Sequence, residues 1–168
     1  MTRRACATII LAWTPILLVL AGVVVWAGYE QPGVAHVVGA AMMPTLNDGD
    51  YVLVSHRLDR ARLHRGDIVL LSDPFDSTKY FIKRIAGLPG EDLSIKGGAV
   101  YINGQKLSEP YVKVAWTKNT DWPASGGAGH IPEQSYFVMG DNRDHSSDSR
   151  VFGPVQSSAI QAVFVRKL

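Results

Sequence analysis

Residues 5–29 form a long apolar run with no charged side chain between Arg4 and Glu30. As an α-helix the run would be about 37 Å long, which exceeds the hydrocarbon core of a bilayer, about 30 Å. Trp26 and Tyr29 lie where an interfacial aromatic belt is expected. A cleaved signal peptide, the alternative, usually has an apolar region of only about 7–15 residues. The sequence therefore predicts a retained transmembrane anchor.

This anchor divides the chain into three parts. Residues 1–4 carry two arginines and are expected on the cytoplasmic side, residues 5–29 cross the membrane, and residues 30–168 form an exported domain. The only cysteine is Cys6, so no intramolecular disulfide can form. The exported domain must therefore be stabilised by its hydrophobic core alone.

The exported part is predicted to be mostly β, because short apolar segments alternate with turn residues. Outside the anchor there is no strong 3.6-residue periodicity, although residues 156–159 could form one helical turn. Residues 107–130 are interpreted as a small β insertion that ends in a glycine-rich loop. Strands are predicted at residues 34–38, 51–55, 67–71, 81–85, 92–95, 99–102, 136–139 and 162–166.

The charge distribution argues against nucleic acid as a partner. The formal net charge of +2 equals the charge of Arg3 and Arg4, so the exported domain is neutral. The basic residues within 56–65 are interpreted as a solvated loop, with contact to anionic lipid headgroups as the alternative. No metal or other cofactor is predicted, because the histidines outside the motifs lack metal-ligand spacing. These are His36, His56, His64 and His130.

Three motifs follow one another in the exported part. Residues 39–46 read Gly-Ala-Ala-Met-Met-Pro-Thr-Leu, and residues 80–91 read Tyr-Phe-Ile-Lys-Arg-Ile-Ala-Gly-Leu-Pro-Gly-Glu. Residues 140–150 read Gly-Asp-Asn-Arg-Asp-His-Ser-Ser-Asp-Ser-Arg. In order and spacing they resemble the boxes of bacterial type I signal peptidases, which are membrane proteases with a serine–lysine dyad. The resemblance covers most of residues 5–165 and is poor only from about 107 to 130.

The first motif lacks the family's nucleophile. Where the family has Gly-x-Ser-Met-x-Pro-Thr-Leu, this chain has Ala41 in place of the serine. Alanine has no hydroxyl and cannot attack a carbonyl. Either a serine was deliberately replaced to give an inactive enzyme, which is the interpretation we favour, or the chain is a natural relative without catalytic activity.

The second motif contains the lysine that the resemblance identifies as the general base, Lys83. A lysine normally has a pKa near 10.4, so it must be buried in apolar surroundings to act as a base near neutral pH. Strand alternation places Phe81, Lys83 and Ile85 on one face and turns Arg84 away. From the strand pattern alone, Lys83 could instead be a solubilising lysine on an edge strand.

The third motif supplies the residues around this lysine. The resemblance implies that Ser146 hydrogen-bonds the lysine amine and that Asp148 is the acidic residue beside it. A purely structural turn role remains open for Asp141. A Ser/His/Asp triad formed by residues 144–146 is not expected, because sequence neighbours rarely meet in triad geometry. The resemblance implies structural support from Arg84, Asp141, Arg143 and Arg150.

An oxyanion hole and a peptide-binding cleft are also implied by the resemblance. The backbone N–H of Ala41 is one donor, and a second donor near Gly39 is left open as a backbone N–H or a water. The substrate would pair as an extended strand with an exposed sheet edge, with small residues at the first and third positions before the cut. Its pockets are expected to be lined by Ala35, Val37 and Ile82 with Met42 at their rim, or these residues simply pack in the core.

The resemblance implies a membrane-anchored serine-type endopeptidase on the outer face of a bacterial plasma membrane. It would remove signal peptides from exported preproteins, and it would be inactive as given because position 41 is alanine. Its partners would be preprotein signal peptides and the lipid bilayer. Two alternatives remain: a natural pseudoenzyme that binds signal peptides or a membrane partner without cleavage, and a specialised serine–lysine maturation protease.

Overall fold

The computed structural model describes residues 32–60, 62–113, 116–117 and 121–168. The predicted anchor at residues 5–29 lies outside these ranges. Within them, no helix combines the length and the apolar character needed to span a bilayer. The described part of the chain is mostly β-strand, and every strand pairing in it is antiparallel.

The strands form two sheets. A single helical turn, α1 (Ser149–Phe152), begins at the end of the third motif, and 3-10 turns occur at Arg143–His145 and Ser157–Ala159. The strands are β1 (Gly33–His36), β2 (Tyr51–Ser55), β3 (Ile68–Ser72), β4 (Tyr80–Gly87), β5 (Asp92–Lys96), β6 (Ala99–Ile102), β7 (Gln105–Lys106), β8 (Gly129–His130), β9 (Ser135–Met139), β10 (Val155–Gln156) and β11 (Ile160–Lys167).

The larger sheet has seven strands in the order β1-β2-β11-β3-β4-β9-β10, and the smaller has the order β7-β6-β5-β8. The second motif therefore lies on an interior strand, β4, which pairs with β3 on one side and β9 on the other. The third motif begins directly after β9. At the other end of the large sheet, β1 is an edge strand, and the first motif follows it.

The core packs the two sheets together through apolar side chains. Phe137 and Met139 of β9 lie in one cluster with Leu93 and Ile95 of β5, and Ile131 completes this contact. A second cluster includes Met42 and Leu46 of the first motif together with β2. Burial of these side chains fixes the motif loops to the sheet, since each large apolar side chain contributes about 1.5–3 kcal/mol when it is removed from water.

The eight strands predicted from the sequence are all present, with ends that shift by about two residues or fewer. The predicted helical turn at 156–159 is the 3-10 turn Ser157–Ala159. The strands β8 and β10 and the turn α1 were not predicted individually, because elements of two to four residues show no periodicity. A further short strand after the turn at residues 103–104 was also expected, and it is β7. The stretch 107–130 contributes β8 and a bridge between Trp122 and Ile95.

Candidate active site

The first motif forms a tight loop whose apolar side chains anchor it to the sheet. Backbone hydrogen bonds join Met43 to Ala40 and Leu46 to Met42, so the chain turns twice within a few residues. Met42 and Leu46 are each only 1% exposed. The turn leaves Ala41, directly before the anchored Met42, on the wall of a cleft.

The loop is held from the other side by the third motif. The backbone N–H of Asn142 donates to the carbonyl oxygen of Ala41 at 3.0 Å. The side-chain amide of Asn142 donates to the carbonyl oxygen of Ala40, also at 3.0 Å. Position 41 is thus fixed by two hydrogen bonds from a segment that is distant in sequence. Asn142 was not singled out by the sequence analysis, although it lies inside the third motif.

Lys83 is buried inside the large sheet. Its side chain is 4% exposed, and its Nζ lies 4.9 Å from the centroid of the Phe81 ring, as strand alternation predicts. The interpretation of Lys83 as an edge-strand lysine is therefore wrong, because β4 is an interior strand. Burial lowers the pKa of Lys83 from the ordinary 10.5 to about 8, with the Asp148 carboxylate opposing this effect.

The hydroxyl of Ser146 is buried and has no hydrogen-bond partner among the described residues. Buried polar atoms without a partner are rare and call for an explanation. The hydroxyl lies against Gly140, since a Cβ added to Gly140 would be 2.4 Å from Ser146 Oγ and 2.5 Å from the carbonyl oxygen of Ala41. Position 41 and Ser146 therefore both lie against Gly140, where a Cβ would be, and only a glycine leaves room for both.

Asp148 is completely buried and is held in an ion pair with Arg150. Arg150 Nε and Nη2 donate to the two carboxylate oxygens at 2.8 and 2.9 Å. The Asp148 carboxylate also accepts the Gly140 N–H at 3.0 Å and caps α1. The acidic residue beside the lysine is thus fixed by its partners, and its negative charge raises the pKa of Lys83 against the effect of burial.

Asp141 connects the first motif, β4 and the third motif. Arg84 Nε and Nη2 donate to its two carboxylate oxygens at 2.8 and 2.6 Å, and Thr45 Oγ1 donates to Oδ2 at 2.5 Å. Arg84 also binds the Gly66 carbonyl. Asp141 and Arg84 are therefore structural supports of the loops in this geometry, and Thr45 is a third member that the sequence analysis did not identify.

The cleft next to Ala41 and Lys83 has a volume of about 300 Å³. All four residues that were assigned to the substrate pockets line it: Ala35, Val37, Met42 and Ile82. Met42 differs from its expected position at the rim, because its side chain is buried in the core. Leu70, Tyr80 and Phe81 also line the cleft and were not predicted to do so.

Two backbone amides near the cleft have different environments. Among the described residues, no acceptor is found for the N–H of Ala41, which is therefore available to an oxyanion. The N–H of Gly39 donates to Asp48 Oδ1 at 2.7 Å. Gly39 has a φ of +89°, a conformation that residues with a side chain rarely adopt, and this accounts for glycine at this position.

Metal chemistry has no support in this part of the molecule. Across the residues that the structure describes, no group of three or more His, Cys, Asp or Glu side chains could hold a metal ion. The acidic neighbour of His145, Asp144, accepts hydrogen bonds from the N–H and the hydroxyl of Thr117 instead.

Ala41, with its free backbone N–H, and Lys83, a buried lysine of lowered pKa, thus line one cleft. The family model described as "Signal peptidase, peptidase S26" matches residues 7–166. The chain therefore belongs to this signal peptidase family, and its mostly β architecture is that of a signal-peptidase-like fold.

Individual relatives agree with the family match. The chain is 38% identical over 136 residues to signal peptidase I V of Bacillus subtilis, which covers 74% of this chain and 79% of the relative. It is 39% identical over 118 residues to a signal peptidase I of Bacillus amyloliquefaciens, covering 67% of this chain and 60% of that protein. The crystal structure of a signal peptidase I from Enterococcus faecalis superposes with a TM-score of 0.53 at 34% identity, covering 62% of this chain and 97% of the other.

Proposed function

We propose that this chain is a membrane-anchored signal peptidase I that lacks only its nucleophile. With a serine at position 41 it would remove signal peptides from exported preproteins. The observation that carries this proposal is the burial of Lys83 in the cleft that Ala41 also lines, with the pKa of its amine lowered to about 8. Without an amine that can be neutral near physiological pH, a hydroxyl at position 41 would have no base to activate it.

The reaction follows from these positions. A serine hydroxyl at 41 attacks the scissile carbonyl while the neutral amine of Lys83 accepts its proton. The N–H of residue 41 donates to the oxyanion that develops. The lysine then protonates the leaving amine, and a water deprotonated by the same lysine hydrolyses the acyl-enzyme. The unpaired hydroxyl of Ser146 would orient the amine, and Asp148 would stabilise its charged form.

The substrate would enter as an extended strand. The edge strand β1 lies beside the cleft and has one side unpaired, since it pairs only with β2 among the described strands. An added strand would place alternate side chains in the cleft. Its volume of about 300 Å³ and its lining by Ala35, Leu70 and Ile82 suit small side chains at the first and third positions before the cut.

The membrane anchor belongs to the same proposal. Residues 5–29 would span the bacterial plasma membrane once, with Arg3 and Arg4 in the cytoplasm and residues 30–168 on the outer face. Cleavage sites of exported preproteins emerge at that surface. N-terminal sequencing of the membrane-bound product tests the anchor, because a mature chain that begins near residue 30 would show that the segment is removed.

Ala41 itself favours one alternative, a natural pseudoenzyme that binds signal peptides without cutting them. In that case the cleft and the edge of β1 would still bind peptide. A specialised serine–lysine maturation protease would share the mechanism and differ only in its substrate. The substitution Ala41→Ser separates the pseudoenzyme from the trapped protease.

The experiment is incubation of purified Ala41→Ser protein in detergent with a preprotein that has alanine at the first and third positions before the cut. Mass spectrometry of the products should show cleavage directly after the alanine at the first position before the cut. Lys83→Ala in the same background should abolish this cleavage. Ala40→Ser is the matched control, because it adds the same hydroxyl one residue away from the required position. If Ala41→Ser is folded and binds the preprotein but leaves it intact, the pseudoenzyme is supported instead.

A further inference from the structure

Glu109 is a buried carboxylate outside the three motifs. Its side chain is 10% exposed, and its partner Arg143 is 2% exposed. Arg143 Nη1 and Nη2 donate to the two oxygens of Glu109 at 3.0 and 2.5 Å. The hydroxyl of Tyr111 donates to the same carboxylate at 2.9 Å. Such a fully paired carboxylate is fixed in place, and it comes from the stretch with the poorest resemblance to the family.

Arg143 connects Glu109 to the lysine site through hydrogen bonds. Its Nε donates to the carbonyl oxygen of Gly140 at 3.0 Å. The N–H of Gly140 in turn donates to Asp148, and Gly140 is in close contact with Ser146 Oγ and with the carbonyl oxygen of Ala41. Glu109 is therefore connected through one arginine to the peptide unit around which the site is assembled.

Two aromatic rings from the same segment cover the arginines of the site. The Trp116 ring lies 4.8 Å from the guanidinium carbon of Arg143 and 5.3 Å from that of Arg150. The Tyr111 ring lies 4.2 Å from that of Arg84. Cation–π contacts of this kind attract guanidinium groups to the ring faces, and all three guanidinium groups are largely buried. The segment thus contacts all three arginines that support the site.

We propose that Glu109 is a positioning residue for the lysine site, which acts by holding Arg143 and through it the Gly140 peptide, with Tyr111 and Trp116 closing the segment over the arginines. This inference rests on the proposed function, because it assigns a role within the same site. Glu109 touches neither the substrate nor the reacting atoms.

A physical consequence distinguishes this role from general stabilisation. Without the carboxylate, the buried charge of Arg143 is uncompensated, so its side chain turns towards water and releases the Gly140 carbonyl. The loop around Gly140 then loosens, and water reaches the Lys83 amine. The charged groups that act on Lys83, namely Asp148, Arg150 and Asp73, remain present, so the loss of desolvation raises the pKa of Lys83.

The test is an NMR titration of the Lys83 amine in the full chain in detergent, with Lys83→Met identifying its signal. Glu109→Gln should raise the pKa of Lys83 by about one unit, which reduces the neutral fraction near pH 7 about tenfold. Glu91→Gln is the matched control, because Glu91 also pairs with an arginine, Arg65, at 2.5 Å in a partly buried position. It should leave the pKa of Lys83 unchanged.

A folded Glu109→Gln protein with an unchanged Lys83 pKa would overturn the proposal, and so would an equal shift in Glu91→Gln. If Glu109→Gln does not fold, Tyr111→Phe decides, since it removes one donor to Glu109 and keeps the ring over Arg84. It should shift the pKa of Lys83 in the same direction by a smaller amount, and no shift would refute the role.

The pH dependence of cleavage in the Ala41→Ser background tests the role of Glu109 independently. In Ala41→Ser, Glu109→Gln should move the acidic limb of the kcat/KM profile to higher pH by the same amount, because that limb reports the free enzyme's base. KM should change little, since Glu109 does not line the cleft. If Ala41→Ser proves inactive, the proposed function fails, yet the titration of Lys83 still decides the role of Glu109.

Discussion

Asn142 donates a hydrogen bond from its backbone N–H to the carbonyl oxygen of Ala41 at 3.0 Å, and a second from its side chain to Ala40. Position 41, the nucleophile position of the proposed function, is therefore set by the third motif as well as by the strand that precedes it. This pair of bonds explains how a loop at the edge strand of the sheet is held against a lysine on an interior strand. The geometry of position 41 depends on residues about 100 positions away in sequence.

Asn142→Ala should impair catalysis more than stability. The substitution removes the side-chain bond to Ala40 and keeps the backbone bond to Ala41, so the free energy of unfolding should fall by about 1 kcal/mol. In the Ala41→Ser background, kcat should fall about tenfold or more, because small displacements of a nucleophile are costly. Denaturant unfolding and steady-state kinetics measure the two effects. An unchanged kcat would show that the backbone bond alone positions residue 41.

Gly140→Ala should disrupt the site by steric conflict. An added Cβ would lie 2.4 Å from Ser146 Oγ and 2.5 Å from the Ala41 carbonyl oxygen, so the loops must move apart. We expect a loss of stability of about 1–3 kcal/mol and no cleavage in the Ala41→Ser background. Gly104→Ala is the control, since its φ of +80° strains the backbone at a hairpin that does not line the cleft. That variant should lose stability but keep its activity, and an active Gly140→Ala protein would contradict the packing described here.

The sequence was sufficient for the main strands and for the apolar surroundings of Lys83. Alternation along residues 81–85 predicts that Lys83 and Phe81 share a face, and their contact confirms it. Met42 was placed at the cleft rim because a linear motif does not show that the loop turns its side chain into the core. The pairing of Glu109 with Arg143 could not be predicted, because an ion pair between separate segments leaves no local pattern.

Ile82→Ala should broaden the preference for small residues in the substrate. Ile82 lines the cleft and is only partly buried, so truncation enlarges the space next to position 41. In the Ala41→Ser background, preproteins with valine or leucine at the first or third position before the cut should gain about 10-fold or more in kcat/KM relative to alanine. Val163→Ala, a partly buried position packed in a different cluster, should leave the preference unchanged. An equally unchanged preference in Ile82→Ala would remove this residue from the substrate pockets.

Lys83→Met should stabilise the folded chain near neutral pH and lose this advantage as the pH rises. Burial lowers the pKa of Lys83 from 10.5 to about 8, and this difference corresponds to about 3 kcal/mol. Below pH 8 both the folded and the unfolded chain hold the proton, so the folded state bears the full cost of a buried charge. Between about pH 8 and 10.5 the unfolded state holds more protons than the folded one, so the stability of the lysine-containing chain rises with pH.

Urea unfolding of the parent and of Lys83→Met at several pH values from 7 to 11 measures this effect. The difference between their free energies of unfolding cancels the contributions of the ionisable groups that both proteins share. The advantage of Lys83→Met should shrink by about 3 kcal/mol across that range. Lys79→Met is the control, because Lys79 is an exposed lysine paired with Asp76. The difference in the free energy of unfolding between Lys79→Met and the parent should show no comparable change with pH. If the free energies of unfolding of Lys83→Met and the parent differ by the same amount at every pH, the pKa of Lys83 is not lowered by folding. The general-base role then loses its physical basis.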